Sequence, residues 1–272
     1  MKPRALLLGA VILFLAVSFA TPAHGTIFTL TDLNSSATIN DASQSGMFNW
    51  TVNGTNQLSQ QWFWYRTGST GPEASIETLP LVGEIASDTN GNPGNDKLVL
   101  RYGSASTFFI DITYTLNGTP SSGSDMGEQI AITNNSGSPL DFHFFQYTDF
   151  DLNGSGANDT VTLANPNTVR QSSGGTLISE TVATPAADHY ELAFFSSTRT
   201  KLNDANPTTL SDGATTVGPG DVTWAFEWDP TIAAGQTFLI NKDKNLSIPE
   251  PGTLMLISIG LVGGLVFLRR RP

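Results

Sequence analysis

Between residues 26 and 247, apolar and polar residues alternate in short runs, and no stretch sustains the 3.6-residue spacing of an amphipathic helix. A period of two puts successive side chains on opposite faces of a strand. The runs cover residues 46–52, 61–67, 97–102, 106–116, 128–133, 140–152, 160–163, 176–182, 189–195, 222–228 and 236–241. Gly, Asn, Asp, Ser and Pro separate them. Asn53-Gly54, Asn90-Gly91, Asn117-Gly118 and Asn153-Gly154 are hairpin signals, because both residue types tolerate the positive φ of tight turns. Many short strands at this spacing predict an all-β fold, an antiparallel β-sandwich of jelly-roll type. No repeat of solenoid or propeller period stands out.

The two ends break the alternation. Lys2 and Arg4 precede an apolar run over residues 5–20, and small residues follow at Ala23 and Gly25. This is the layout of a secretory signal, a helix over residues 1–25 removed after Gly25, with Ala20 and Ala23 as other cleavage points. At the other end stand Ile248, Pro249, Glu250, Pro251 and Gly252, an uncharged run over residues 253–268, then Arg269, Arg270 and Arg271. The prolines hold an extended, protease-readable segment. The apolar run predicts a transmembrane helix, short against the roughly 20 residues a span needs. The arginines stop translocation and stay on the cytoplasmic side. The chain thus divides into residues 1–25 as signal, 26–241 as β domain, 242–247 as a polar linker and 248–272 as tail.

That tail resembles the PEP-CTERM sorting signal of Gram-negative bacteria that make exopolysaccharide, with Ile248 where the family usually has Val. The resemblance implies an exosortase partner that cleaves near Pro249, Glu250 and Pro251. It also implies tethering to the inner membrane before delivery to the outer surface or extracellular matrix. The segments 60–66 (Gln-Gln-Trp-Phe-Trp-Tyr-Arg) and 149–152 (Asp-Phe-Asp-Leu) look similar to a domain of other PEP-CTERM proteins. That second likeness brings no activity with it.

Composition narrows the chemistry. There is no cysteine, which excludes disulfides, thiolate metal sites and cysteine nucleophiles. The net charge is −11, and five of the 13 basic residues but only one of the 24 acidic residues lie in the two ends. The acidic body repels nucleic acid and anionic lipid, and it suits cations or neutral polymers such as polysaccharides, or simple solubility outside the cell.

Three constellations are candidates for function. Asp149, Asp151 and Asn153 have the spacing of the first ligands of a calcium loop, with Gly154 at the tight turn. Thr160 stands where a bidentate acid belongs, so Asp159 is the expected further oxygen. The competing reading is a hairpin whose Asx residues bond their own backbone. Residues 88–96 form a second loop rich in Asp and Asn. On the strand over residues 61–67, Trp62 and Trp64 point one way, and flat rings there would stack on sugars or pack a core. Catalytic residues are not expected. No nucleophile elbow is present, His143 lies in an apolar strand, and Glu128 and Glu227 are two carboxylates among many. The expected function is a non-catalytic, exported protein of the cell surface or exopolysaccharide matrix. The alternative is a secreted polysaccharide-processing enzyme.

Overall fold

The computed structural model describes residues 25–249. The chain first forms β1 (Ile27–Asp32), β2 (Ser35–Asn40), β3 (Met47–Val52), β4 (Thr55–Asn56), β5 (Leu58–Thr67) and β6 (Ala74–Ser75). Next come β7 (Leu81–Ser87), β8 (Lys97–Gly103), β9 (Phe108–Gly118), β10 (Gly123–Asn134), β11 (Leu140–Phe150), β12 (Asp159–Asn165), β13 (Thr168–Ser173) and β14 (Thr176–Thr184). The last part holds β15 (His189–Phe194), a single helical turn α1 (Ser197–Lys201), β16 (Thr216–Gly220), β17 (Val222–Trp228), β18 (Thr231–Ile232) and β19 (Thr237–Ser247).

The strands form two antiparallel sheets. One runs β1-β2-β3-β5-β11-β17-β15, with β4, β6 and β18 paired on its flanks; the other runs β16-β12-β13-β14-β19-β10-β9-β8-β7. Every run predicted from alternation falls on a strand. Missed were β1, β2, β7, β13, β16 and the two-residue strands β4, β6 and β18; β2 (Ser-Ser-Ala-Thr-Ile-Asn) and β13 (Thr-Val-Arg-Gln-Ser-Ser) offer few apolar residues. The sandwich stands, but the jelly-roll topology does not. In the second sheet β7 to β10 and β12 to β14 are consecutive meanders, whereas a jelly roll interleaves two Greek keys.

Asn53 and Gly54 take φ of 51° and 82° between β3 and β4, the paired positive values of the predicted hairpin turn. Asn117 and Gly118 instead stay inside β9, where the Gly118 amide donates to Asp32 at 2.7 Å. The linker expected over residues 242–247 is the C-terminal half of β19. It lies between β10 and β14 in the middle of the second sheet, with Lys242, Lys244 and Leu246 buried. Its lysines made it look solvated, but they are neutralised inside. The expected signal helix and transmembrane helix lie outside the described residues, apart from Gly25, Ile248 and Pro249. Among the described residues no helix is long and apolar enough to cross a membrane.

The core is strongly aromatic. Trp50, Trp62, Trp64, Trp224 and Trp228 are all fully buried. β5, β11 and β17 are buried on both faces. Toward the second sheet they present Phe63, Phe144, Gln146, Trp224, Phe226 and Trp228. On their other face, Trp64 and Tyr147 pack together under a cover of residues 197–210, and Trp62 lies between residues 73–79 and the Tyr102 ring of β8. The Trp62 Nε1 donates to Glu77 at 2.6 Å, and the Trp64 Nε1 donates to Asn203 at 3.3 Å. Arg66 donates to Glu73 at 2.9 Å and to the Thr208 carbonyl at 3.3 Å. Ile76, Leu202 and Leu210 seal the cover from beneath.

Candidate functional site

Three polar clusters emerge once the sheets are in place. The first lies between them. The Lys242 Nζ donates to Glu128 at 2.6 Å and to Gln146, while the Lys244 Nζ donates to the other Glu128 oxygen at 2.6 Å. Glu180 stands 3.3 Å from both ammonium groups, and it accepts from Gln146 at 2.8 Å and from the Trp224 Nε1 at 2.7 Å. All four charged side chains are sealed from solvent. Burial pushes the Glu128 carboxyl up, but the two ammonium groups overcome it and hold the group well below the usual range. Two cations meet two anions, and each charge has partners. This cluster is internally neutral.

The second cluster sits at one end of the covered face. Asp149 ends the outward-facing row of β11, where the register shifts between Asp149 and Phe150; such a bulge re-aims side chains. Ligand oxygens of Asp149, Asp151 and Asp221 all lie within 4.8 Å of one another. Asp221 comes from the short link between β16 and β17, more than sixty residues beyond the predicted loop. Asp149 is only 2 % exposed, and its Oδ1 has no hydrogen-bond partner. Burial, then the charges of Asp151 and Asp221, push its carboxyl up to about 8. Asp159 accepts from the Leu152 amide at 3.1 Å and from Gln171 at 2.6 Å through Oδ2, and its buried Oδ1 is also unpartnered. Gly156 presses against the cluster: a Cβ there would come 2.6 Å from Asp151 and 3.1 Å from Asp221.

The predicted ligand Asn153 is not part of this cluster. Its side chain is engaged by the β13–β14 hairpin: it donates to the Ser173 carbonyl at 3.0 Å and accepts from Thr176 at 2.7 Å. Loop spacing selected Asn153, and the fold puts Asp221 there instead. The second Asp/Asn loop is self-bonded. Asp88 accepts from the amides of Asn90 and Gly91, and Asp96 accepts from Thr89.

Beside the acidic cluster the surface changes character. Phe194 and Phe195 are 50 % and 43 % exposed. The Phe195 amide donates to the Asp221 carbonyl at 3.0 Å, and the Arg199 guanidinium stacks on the Phe195 ring at 4.8 Å. Arg199 also donates to Gln60 at 2.7 Å. Gln44, Ser45, Ser59, Gln60 and Arg199 line a pocket of about 320 Å³. Gln60 is the cross-strand partner of Asp149, so pocket and acidic cluster adjoin. Sequence reasoning missed Phe194, Phe195 and Arg199. The one available signal was two adjacent phenylalanines on a strand bound to expose one of its faces.

Trp62 and Trp64, expected as sugar-stacking rings, are both fully buried beneath the cover. A ring with no exposed face offers nothing to a ligand, so that expectation fails and their role is packing.

The third cluster sits at the opposite end of the same face. The His143 Nδ1 lies 2.5 Å from Asp229 and 4.0 Å from Glu227. The His189 Nδ1 lies 2.6 Å from Asp212, whose hydrogen bond raises the imidazole's affinity for a proton. Burial pushes the Glu227 carboxyl up to about 8 despite the hydrogen bond it accepts from the Leu210 amide at 2.7 Å. Glu128 does not join it, being on the other side of the sheet in the lysine cluster.

Comparison with known proteins matches these features at two levels. Residues 247–271 carry the PEP-CTERM protein-sorting motif. The chain therefore carries a PEP-CTERM sorting tail, and the motif implies export in a Gram-negative bacterium and processing by an exosortase. No curated protein matches the chain. Among solved structures, a bacterial glucoamylase complexed with acarbose superposes with a TM-score of 0.51 at 12 % identity, over 89 % of this chain and 36 % of that one. The chain thus spans about a third of the glucoamylase. A putative aldose 1-epimerase from Escherichia coli gives 0.51 at 12 % identity, covering 84 % of this chain and 100 % of the other. A galactose mutarotase related enzyme from Lactobacillus acidophilus gives 0.50 at 8 %, covering 83 % and 99 %. At such identities the likeness is one of fold.

Proposed function

We propose that the mature protein is a non-catalytic component of the cell surface or exopolysaccharide matrix that contacts polysaccharide through the Phe195–Arg199 pocket. The reading includes a tether at the inner membrane until the tail is cleaved, followed by release to the outer surface. The observation that carries it is the exposed Phe194 and Phe195 pair beside a pocket lined by Gln44, Ser45, Ser59, Gln60 and Arg199. Sugars bind proteins by laying apolar ring faces on aromatics while their hydroxyls bond amides, hydroxyls and guanidinium groups, and this surface offers all of these. Sugar-acting proteins share the fold, but fold alone does not set function.

A second reading, a secreted polysaccharide-processing enzyme, is favoured by Glu227. Its carboxyl stays protonated near neutral pH beside His143 and Asp229, which is the state a general acid needs. Against it, Glu227 has no exposed surface to meet a substrate.

One experiment separates the two. The purified protein is passed over the producing cell's own exopolysaccharide, and polymer length is followed by size-exclusion chromatography. Retention without shortening, reduced at least tenfold in Phe195→Ala, supports the matrix reading. Shortening that disappears in Glu227→Gln supports the enzyme. Absence of retention removes the polysaccharide contact altogether.

A further inference from the structure

We propose that Asp149, Asp151 and Asp221 bind a calcium ion at the edge of the covered face. Three carboxylates from three chain positions converge so that their nearest oxygens all lie within 4.8 Å. Oxygens this close can meet on one ion, and a loose set of carboxylates suits calcium, which tolerates irregular geometry, better than magnesium, which demands a near-ideal octahedron. The donors are oxygens only, which disfavours zinc, whose sites are built on nitrogen and sulfur.

Convergence of acids alone would be ordinary surface. What marks this group as a site is Asp149, which is 2 % exposed and has an Oδ1 without a hydrogen-bond donor. Buried carboxylate oxygens are bonded almost without exception, because leaving one bare costs its full desolvation. A second buried oxygen, Oδ1 of Asp159, is bare as well, but Asp159 stands outside the group of three. Arg199 is the neighbouring cation, but its guanidinium is engaged by Gln60 and the Phe195 ring, and its charge offsets the acids only in part. Gly156 completes the site. A Cβ there would meet the Asp151 and Asp221 carboxylate oxygens at 2.6 and 3.1 Å, so glycine leaves the two acids room to converge. Calcium would fix Asp221, and with it the Phe195 backbone that bonds the Asp221 carbonyl. The inference does not depend on the polysaccharide reading, because metal binding is measured without any sugar.

The test is calorimetric titration of the chelator-treated protein with calcium chloride, and separately with magnesium chloride, at fixed ionic strength. One site is expected, with a dissociation constant of about 10⁻⁵ to 10⁻³ M and magnesium at least tenfold weaker. Calcium should also raise the melting temperature. Asp221→Asn, a change at an exposed position, should weaken calcium at least tenfold and abolish the thermal shift. Asp151→Asn should do the same, while Asp88→Asn in the self-bonded loop should leave both unchanged. The proposal is overturned if millimolar calcium produces neither heat nor thermal shift. It is equally overturned if Asp221→Asn and Asp151→Asn keep wild-type affinity.

Discussion

The inter-sheet cluster and the Asp149 cluster are built from the same kind of material and behave oppositely. Between the sheets, Glu128 and Glu180 face Lys242 and Lys244, and hydrogen bonds from Gln146 and Trp224 occupy the remaining oxygens. At the edge of the covered face, three carboxylates face one another, and two buried oxygens have no donor. Desolvation penalises a charge in both places. In the first the protein supplies the compensation itself, so the cluster is a finished structural part. In the second the compensation is left to something else, either a proton or a cation. Buried charge therefore distinguishes scaffold from site only when its partners are counted.

The comparison breaks most severely along β19. If residues 242–247 are a tether, replacing them by a Gly/Ser segment of equal length should leave the domain folded. The structure predicts the reverse: removal of a central strand with both lysines abolishes cooperative unfolding and opens the domain to protease, as read by circular dichroism and limited proteolysis. A milder cut separates the clusters directly. Glu128→Ala leaves two ammonium groups facing Glu180 alone in the core and should cost about 3–5 kcal/mol in denaturant unfolding. Asp149→Asn should act in the opposite direction in chelator, stabilising by about 1–3 kcal/mol because an unpaired buried carboxylate is removed. Calcium should reverse that advantage. If both substitutions destabilise alike, the contrast between the clusters is wrong.

The smallest effect concerns Glu227. Its carboxyl ionises at about 8 in the fold against 4.5 for the free group. A raised value means that the folded state holds the proton more tightly. The contribution to stability is thus fully present below pH 4.5 and is lost as pH rises through 8. Wild-type melting temperatures should fall across that window more steeply than those of Glu227→Gln, which keeps an acceptor for the Leu210 amide. Parallel curves would show that Glu227 titrates normally.

How much was legible in advance differs between fold and site. Alternation located most of the strands with apolar faces, because burial of one face imposes period two directly on the sequence. Strands such as β2 and β13 were silent, since hydroxyl and amide side chains fill a half-buried face without leaving an apolar signature. Asp149, Asp151 and Asp159 were readable from local spacing. Asn153 was a false reading, because its backbone needs satisfied it locally.

By itself, the sequence determined the all-β class and the identity of the tail. Both are written in contiguous residues whose pattern carries its own physical meaning: alternation for strands, and proline, apolar run and arginines for sorting. Only the tertiary structure decided that Lys242 and Lys244 are core, that Trp62 and Trp64 are roofed, and that Asp221 joins Asp149. Each outcome depends on what a distant segment brings opposite the residue. A lysine is solvated or buried, a tryptophan open or covered, and an aspartate paired or bare according to neighbours that local sequence does not contain.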